Sequence, residues 1–250
     1  MTGNRNRPRI VICPDPLAAS REVAQIIAAA IEAKPDIVLG LATGGTPVAA
    51  YRELVRMHRE QGLDFSELTS FNLDEYIGIG PEHPQSFRYF MQQHLFDHVN
   101  VTPSQTHVPD GRGTDVEANA RRYEDEIRAA GGIDLQLLGI GTNGHIAFNE
   151  PGSPASSRTR AIELTTETIQ ANSRFFDSID QVPKHAITMG IGTILESKRI
   201  LLMATGEGKA DTIERAIHGD ADPSHPASLL QRHDEVTYVL DEAAAKRIAV

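Results

Sequence analysis

Apolar residues recur along the chain with two different periods, and their alternation predicts strands separated by helices. Residues 9–13 and 37–42 form short apolar runs, as buried strands do. Between these runs, apolar residues from position 23 to 31 recur every three or four residues, which predicts an amphipathic helix that ends before Lys34-Pro35. The alternation of strand and helix favours a parallel sheet covered by helices on both faces.

The same alternation continues towards the C-terminal end. Further strands are predicted at residues 68–73, 133–140, 160–164, 199–204 and 236–240. Further helices are predicted around residues 51–58, 86–96, 116–127 and 241–248, and after the turn at residues 205–209. No repeat, low-complexity tract or linker interrupts the pattern, so we expect one α/β domain over residues 1–250 with a mainly parallel central sheet.

The loop after the predicted strand at residues 133–140 holds the densest set of chemically useful side chains. Its sequence is Gly139-Ile140-Gly141-Thr142-Asn143-Gly144-His145-Ile146-Ala147-Phe148-Asn149-Glu150-Pro151. Glycines let backbone and ligand approach closely, so this stretch predicts an active-site loop. The glycine spacing also fits a dinucleotide fingerprint, but Pro151 comes too early for the long helix that such a site needs. A structural turn with an incidental histidine is the remaining alternative.

A second glycine-bearing turn, Thr43-Gly44-Gly45-Thr46-Pro47, follows the predicted strand at residues 37–42. Pro47 suits the first helical position, and the glycines leave backbone N–H groups free to point at an anion. The turn predicts a phosphate cradle, with an ordinary strand-to-helix turn as the alternative. It lacks the Gly-Lys-Ser/Thr of a Walker loop, so ATP is not implied. Lys209, in the turn at residues 205–209, is a second candidate for phosphate contact.

Carboxylates and a polar segment complete the candidate site. Asp74 and Glu75 follow the predicted strand at residues 68–73, and ligands of open α/β sheets bind beyond the carboxyl ends of strands. Such acids are also often helix caps. Residues 167–181 are polar, have poor periodicity and carry Arg174, which predicts a mobile lid.

Composition limits the partners and the compartment. The formal net charge of -10 argues against nucleic acid, but local cations can still hold a small phosphorylated ligand. The single Cys13 excludes an internal disulfide and favours a reducing compartment. No apolar run of about 18 residues is present, and residues 1–9 lack an apolar leader segment. We therefore expect a soluble cytoplasmic protein without membrane or nucleic-acid partners.

Four motifs together resemble glucosamine-6-phosphate deaminases. In chain order they are Thr43-Gly44-Gly45-Thr46-Pro47, Asn72-Leu73-Asp74-Glu75-Tyr76, Gly144-His145-Ile146-Ala147-Phe148-Asn149-Glu150-Pro151 and Ala171-Asn172-Ser173-Arg174-Phe175-Phe176. The resemblance extends from residue 37 to about residue 240 and implies a modified Rossmann-like α/β/α sandwich. It also implies conversion of glucosamine 6-phosphate and water into fructose 6-phosphate and ammonia, in amino-sugar catabolism and N-acetylglucosamine degradation. No metal or organic cofactor is needed for that reaction.

The chemistry of individual residues fits this resemblance. His145 can move a proton between the ring oxygen and the anomeric hydroxyl, and Glu150 can steady its charged form. Asp74 is then free to move a proton between C2 and C1, as the resemblance also implies. The phosphate is expected to be bound by Thr43, Gly44, Gly45, Thr46, Arg174 and Lys209. Taken singly, the three catalytic candidates could instead be a structural histidine, a surface acid and a helix cap.

One position departs from part of the family. Some members carry Asp where this chain has Asn143, two residues before His145. An amide can orient an imidazole through its carbonyl oxygen, but it brings no negative charge. We therefore include Asn143 among the catalytic candidates and expect Glu150 to supply the charge.

The resemblance also bears on regulation. Longer members activated by N-acetylglucosamine 6-phosphate carry a C-terminal extension and a basic residue two positions after the match of Arg160. This chain has Ile162 at that position. We therefore expect no allosteric activation, and a monomer or a small homo-oligomer.

Two other functions remain open from the sequence. A 6-phosphogluconolactonase shares the fold and a phosphorylated sugar ligand, although Asp74 and the complete stretch at residues 145–151 favour a deaminase. A non-catalytic sugar-phosphate sensor normally needs a DNA-binding helix-turn-helix, for which we expect no room before Arg9 or after Leu240. Ammonia release separates the deaminase from the lactonase, and any turnover separates it from the sensor.

Overall fold

The computed structural model describes residues 7–248, and the expectation that residues 1–9 lack a leader falls largely outside that range. Its strands are β1 (Arg9–Cys13), β2 (Val38–Leu41), β3 (Thr69–Asn72), β4 (Asp74–Tyr76), β5 (Thr106–His107), β6 (Leu135–Leu138), β7 (Arg160–Glu163), β8 (His185–Thr188), β9 (Ile200–Ala204) and β10 (Val236–Asp241). Its α-helices are α1 (Pro16–Ala33), α2 (Val48–Gln61), α3 (Phe87–His94), α4 (Val116–Ala129), α5 (Thr166–Asn172), α6 (Ile191–Leu195) and α7 (Ala210–His218). Within residues 7–248, no helix combines the length and apolar character needed to cross a membrane.

Seven strands form a wholly parallel sheet in the order β1-β10-β9-β6-β2-β3-β5. From β2 the chain adds β3 and β5 on one side, and from β6 it adds β9 and β10 on the other. The winding therefore reverses between β2 and β6, and the crevice beyond the carboxyl ends of strands at such a point is where ligands bind in open α/β sheets. The predicted α/β class with a mainly parallel central sheet is confirmed.

Helix α1 illustrates how local sequence produces these elements. The Asp15 side chain caps it by accepting the Ala18 N–H at 2.7 Å, and Pro16 occupies a position where a missing N–H does no harm. Its apolar face, including Val23 and Ile27, is buried in the main core. Truncating Ile27 to Ala would cost about 2–5 kcal/mol of stability, since the cavity left behind closes only in part.

A second, antiparallel sheet has the order β4-β8-β7, which the sequence analysis did not predict. Residues 74–76, which follow the predicted strand at residues 68–73, form β4 of this sheet, with Asp74 opposite Thr188. The chain leaves the parallel sheet at Leu73, whose carbonyl accepts the Met189 N–H at 2.7 Å. This change of sheet brings Asp74 to the junction between the two sheets.

One predicted helix and one predicted helix start are also wrong. Residues 242–247 form turns and not the expected helix over 241–248, although the Asp241 carboxylate accepts the Ala244 N–H at 2.8 Å, as a helix cap does. Pro47 is the residue that precedes α2 and not its first helical residue. The segment at residues 167–181, in which we saw poor periodicity, contains most of α5 and two 3-10 turns, Ser173–Phe175 and Ile179–Gln181.

Candidate active site

A cavity of about 670 Å³ lies beyond the carboxyl ends of β2 and β6. Residues 43–46 contribute from the turn after β2, Asp74 contributes from β4, and residues 139–141 with His145 contribute from the loop after β6. The fold therefore brings three separate candidate segments to one place at the reversal of the sheet. Within residues 7–248, no three His, Cys, Asp or Glu side chains are grouped closely enough to hold a metal ion.

Aromatic side chains form much of the cavity wall; none of them was a site candidate in the sequence analysis, although four stand in the quoted motifs. They are Tyr76, Phe87, Tyr89, Phe90, Phe148, Phe175 and Phe176. The Tyr76 ring packs against Phe87 with centroids 4.9 Å apart, and its hydroxyl accepts a hydrogen bond from Asn172 at 2.9 Å. These contacts join β4 to α3 and α5. For Phe87, Tyr89 and Phe90, the local signal was the crowding of aromatic residues in α3.

Asp74 and Glu75 are adjacent in sequence but have different surroundings. Asp74 lines the cavity and is only 6% exposed. Burial, reinforced by the charge of Glu75, raises the pKa of Asp74 to about 8 although a hydrogen bond from Thr43 opposes the rise. Glu75 instead accepts the N–H groups of Phe87 at 2.9 Å and Arg88 at 3.0 Å, so it caps the first turn of α3. The alternative interpretation of these acids as helix caps therefore holds for Glu75, whereas Asp74 lines the cavity.

The loop after β6 has a tight geometry that its glycines permit. Gly141 N–H donates to the His145 carbonyl at 2.9 Å, and the imidazole packs over Gly141 so closely that a Cβ there would lie 2.3 Å from ring atoms. Gly144 has a φ of +87°. Ala147, which also lines the cavity, has a φ of +51°, a conformation that is uncommon without a glycine.

Glu150 lies behind His145 and outside the cavity lining. Its Oε2 is 3.6 Å from His145 Nδ1 and accepts a hydrogen bond from Asn143 Nδ2 at 2.8 Å. Its Oε1 accepts from Thr168 at 2.6 Å. Burial alone would raise the pKa of Glu150, but its interactions with His145, Thr168 and Asn143 outweigh burial and lower that pKa to about 2. The carboxylate is therefore ionised throughout the neutral range.

The predicted phosphate contacts are less closely grouped. Residues 43–46 line the cavity, and Gly44 has a φ of +93°, which a side chain would strain. Lys209 is outside the lining, and its Nζ donates to the carbonyl of Ile140, a lining residue, at 2.7 Å. Burial lowers the pKa of Lys209. Arg174 is exposed, with its guanidinium carbon 4.7 Å from the centre of the Phe175 ring.

The fold and this cavity define the class of protein. Residues 17–239 match the family of glucosamine-6-phosphate isomerases and 6-phosphogluconolactonases, and the chain belongs to that family. A relative from Halothermothrix orenii named glucosamine-6-phosphate deaminase is 52% identical over 95% of this chain and 98% of its own length. A deaminase of the same name from Clostridioides difficile is 50% identical over 96% of each chain.

Solved structures agree with this placement. The structure of a monomeric glucosamine-6-phosphate deaminase matches with a TM-score of 0.93 and 46% identity, covering 95% of this chain and 99% of the other. A 6-phosphogluconolactonase from Trypanosoma brucei matches with a TM-score of 0.77 over 98% of this chain and all of the other, but its 20% identity shows the fold alone. The resemblance drawn from the four motifs is confirmed.

Proposed function

We propose that the protein converts glucosamine 6-phosphate and water into fructose 6-phosphate and ammonia. The observation that carries the proposal is that Asp74 and His145, from different segments, line one cavity together with the glycine turn at residues 43–46. The reaction needs one group to open the sugar ring and another to move a proton between adjacent carbons. Relatives about half identical over nearly the whole chain carry the same activity in their names, which supports the proposal.

His145 is the group for ring opening. An imidazole can accept the proton of the anomeric hydroxyl and deliver a proton to the ring oxygen at neutral pH. When His145 accepts that proton, its ring becomes an imidazolium. The ionised Glu150 carboxylate, 3.6 Å from Nδ1, stabilises this positive charge. Thr168 and Asn143 hold that carboxylate in place.

Asp74 is the group for isomerisation. Its carboxylate removes the proton from C2 of the open-chain amino aldose and delivers a proton to C1, while a second proton passes from the amine nitrogen to O1; this leaves an imine at C2 and a hydroxyl at C1. Water adds to that imine, and the C–N bond breaks to release ammonia and the ketose. A pKa near 8 suits this role, because the same group must accept a proton and then give it up.

The phosphate is held at the turn after β2. The backbone of Gly44 and Gly45 with the hydroxyl of Thr46 provides donors at the start of α2, where the helix dipole favours an anion, and the Thr43 hydroxyl joins this turn to Asp74. We assign Lys209 and Arg174 as the cations that neutralise the phosphate, since both lie on segments next to lining residues.

An ammonia assay on purified protein tests the function directly. Wild type is expected to release ammonia and fructose 6-phosphate in equal amounts from glucosamine 6-phosphate, and Asp74→Asn is expected to release neither at a comparable rate. Hydrolysis of 6-phosphogluconolactone without ammonia release would favour the lactonase alternative. Binding of the amino sugar phosphate without any product would favour the sensor.

The setting of the reaction follows from the same proposal. We place it in amino-sugar catabolism, including degradation of N-acetylglucosamine, in the cytoplasm. We also propose that the protein acts as a monomer, which the match to a monomeric deaminase supports. Sedimentation of the purified protein with and without substrate tests the oligomeric state.

A further inference from the structure

We propose that His225 and Thr212, which lie outside the cavity, are positioning residues that hold the His145 loop in its working shape. The inference rests on the proposed function, since it gives that loop a catalytic task. Neither residue belongs to a motif from which the family resemblance was drawn.

A series of hydrogen bonds connects His225 to the catalytic loop. His225 is 2% exposed, and its Nε2 lies 2.9 Å from the hydroxyl of Thr212 on α7. The Thr212 hydroxyl lies 3.2 Å from the carbonyl oxygen of Gly141. Gly141 in turn donates its N–H to the carbonyl of His145 at 2.9 Å. The contacts therefore run without a break from a buried histidine to the catalytic one.

The donors along this series can be assigned from their chemistry. A carbonyl oxygen only accepts, so the Thr212 hydroxyl donates to Gly141 and must accept from His225. His225 therefore carries its proton on Nε2, and its buried Nδ1, which has no hydrogen-bond partner, remains a bare acceptor. With the proton on Nδ1 instead, an unpaired N–H would be buried and the Gly141 carbonyl would lose the hydrogen bond from Thr212. That arrangement has a higher free energy than a buried acceptor without a partner. Burial and the nearby Arg215 charge lower the pKa of His225, in keeping with a neutral ring.

His225 also touches the other end of the same turn. A Cβ on Gly144 would lie 2.3 Å from His225 ring atoms, so the ring packs directly on the Gly144 backbone. The Gly144 carbonyl accepts the Ala227 N–H at 2.9 Å, and Gly144 N–H donates to Gly141 at 3.0 Å. Both ends of the turn at residues 141–144 are thus fixed to one support, made of α7 and the 3-10 helix Pro226–Arg232.

The consequence for catalysis is specific. The His145 imidazole rests on Gly141, so movement of Gly141 moves the ring relative to the substrate. Asp74 and the phosphate turn at residues 43–46 come from other segments, β4 and the turn after β2, so this series of bonds does not run through them. Loss of the support should therefore slow ring opening and leave substrate binding nearly unchanged.

The test uses Thr212→Val, which removes the hydroxyl at nearly constant volume, and Thr212→Ser, which restores it. Thr212→Val is expected to lower kcat about tenfold with KM within about twofold, because small misplacements of a catalytic group have effects of this size. Thr212→Ser is expected to recover most of the lost kcat. His225→Phe, which keeps a ring against Gly144 but cannot donate, should resemble Thr212→Val. The double variant should lose no more than the worse single variant, since both act through one series of contacts.

Ser20→Ala is the matched control, since Ser20 is a buried residue whose hydroxyl donates to a carbonyl, that of Pro16, at 2.8 Å on α1 away from the cavity. It should retain wild-type kcat. Additive losses in the double variant, parallel changes in KM, or no rescue by serine would overturn the inference. If Thr212→Val does not fold, His225→Phe and Thr212→Ser decide it by the same criteria.

A second measurement separates this inference from the proposed function. The imidazole nitrogen signals of His145 in NMR spectra should shift in Thr212→Val and stay in place in Ser20→Ala, whatever the enzyme turns over. A wild type that releases no ammonia would refute the function. Unmoved His145 signals in Thr212→Val would refute the positioning role.

Discussion

The side-chain nitrogen of Asn143 donates to Glu150 Oε2 at 2.8 Å, and that same oxygen lies 3.6 Å from Nδ1 of His145. The amide oxygen of Asn143 accepts the backbone N–H of His145 at 3.1 Å, and it makes no hydrogen bond to Nδ1 of the imidazole ring. Asn143 thus holds the carboxylate that faces the histidine. The negative charge next to His145 is therefore that of Glu150 and not that of residue 143.

The first prediction concerns the charge of Glu150. Glu150→Gln removes the negative charge next to His145 and should lower kcat by about 10²-fold, the scale of a general acid–base contribution. Thr168→Val is the matched variant, because it removes one hydrogen bond to the carboxylate and leaves its charge. It should lose much less activity. Steady-state kinetics on both proteins would contradict the assignment if Glu150→Gln kept wild-type turnover.

The second prediction concerns protein stability and the buried Asp74. Its pKa is raised from 3.8 to about 8, so between those pH values the folded protein retains a proton that the unfolded chain has lost. The contribution of Asp74 to the free energy of unfolding is therefore fully present below the unfolded-state pKa of 3.8, and it is lost as the pH rises through the folded-state pKa of about 8. Asp74→Asn stays neutral and should escape this loss.

Urea unfolding at several pH values measures the effect. The free energy of unfolding of Asp74→Asn, relative to wild type, should increase from about pH 4 to about pH 8 and then level off. Asp180→Asn, at an exposed position, serves as the control and should follow the wild-type curve. A constant difference between Asp74→Asn and wild type over this range would show that Asp74 is not protonated in the folded state.

The third prediction uses the contact between Gly141 and His145. A methyl group in Gly141→Ala would lie 2.3 Å from the imidazole, so the ring must move and kcat should fall about 10²-fold, with KM much less affected. Gly139→Ala, two residues earlier, adds a methyl that meets no atom within 4 Å and should be far milder. Equal losses in the two variants would argue that general strain in the loop, and not the His145 ring, is responsible.

The parallel sheet and the separate candidate segments were predictable from the sequence because each depends on local signals. Buried parallel strands are short continuous apolar runs, and glycine-rich turns after them mark ligand-binding loops. The phosphate turn at residues 43–46 and the loop carrying His145 could both be located in this way. That both line one cavity depends on strand order, which no local pattern encodes.

Other features depend on contacts between distant parts of the chain. The hydrogen bond from Thr168 to Glu150 joins residues 18 positions apart, and the one from Thr212 to Gly141 joins residues 71 positions apart. No local sequence motif predicts either contact. Asp74 belongs to the second sheet because β4 pairs with β8, a strand more than 100 residues later in the chain. The contact between Asp241 and the N–H of Gly206, 35 residues apart, is likewise invisible to a local pattern.

The fourth prediction concerns Arg174 as a phosphate ligand on the segment after α5. Arg174→Ala should raise KM about tenfold or more and change kcat little, because a contact made equally in ground and transition states affects binding alone. Arg128→Ala, which removes an exposed cation paired with Asp125 on α4, is the control for net charge and should leave KM unchanged. A pure turnover defect in Arg174→Ala would contradict a role in phosphate capture.

The fifth prediction is that N-acetylglucosamine 6-phosphate does not activate the enzyme. The family resemblance leads us to expect a basic residue at the position of Ile162 in activated members, and in this structure Ile162 packs on the apolar cluster around Tyr76 and Leu164. The neighbouring Arg160 donates to Asn149 at 3.0 Å, and burial lowers its pKa. A site with one cation binds a phosphate more weakly than one with two. Rates measured against substrate concentration should be hyperbolic with and without the acetylated sugar phosphate, whereas a sigmoidal curve that it straightens would show that activation persists.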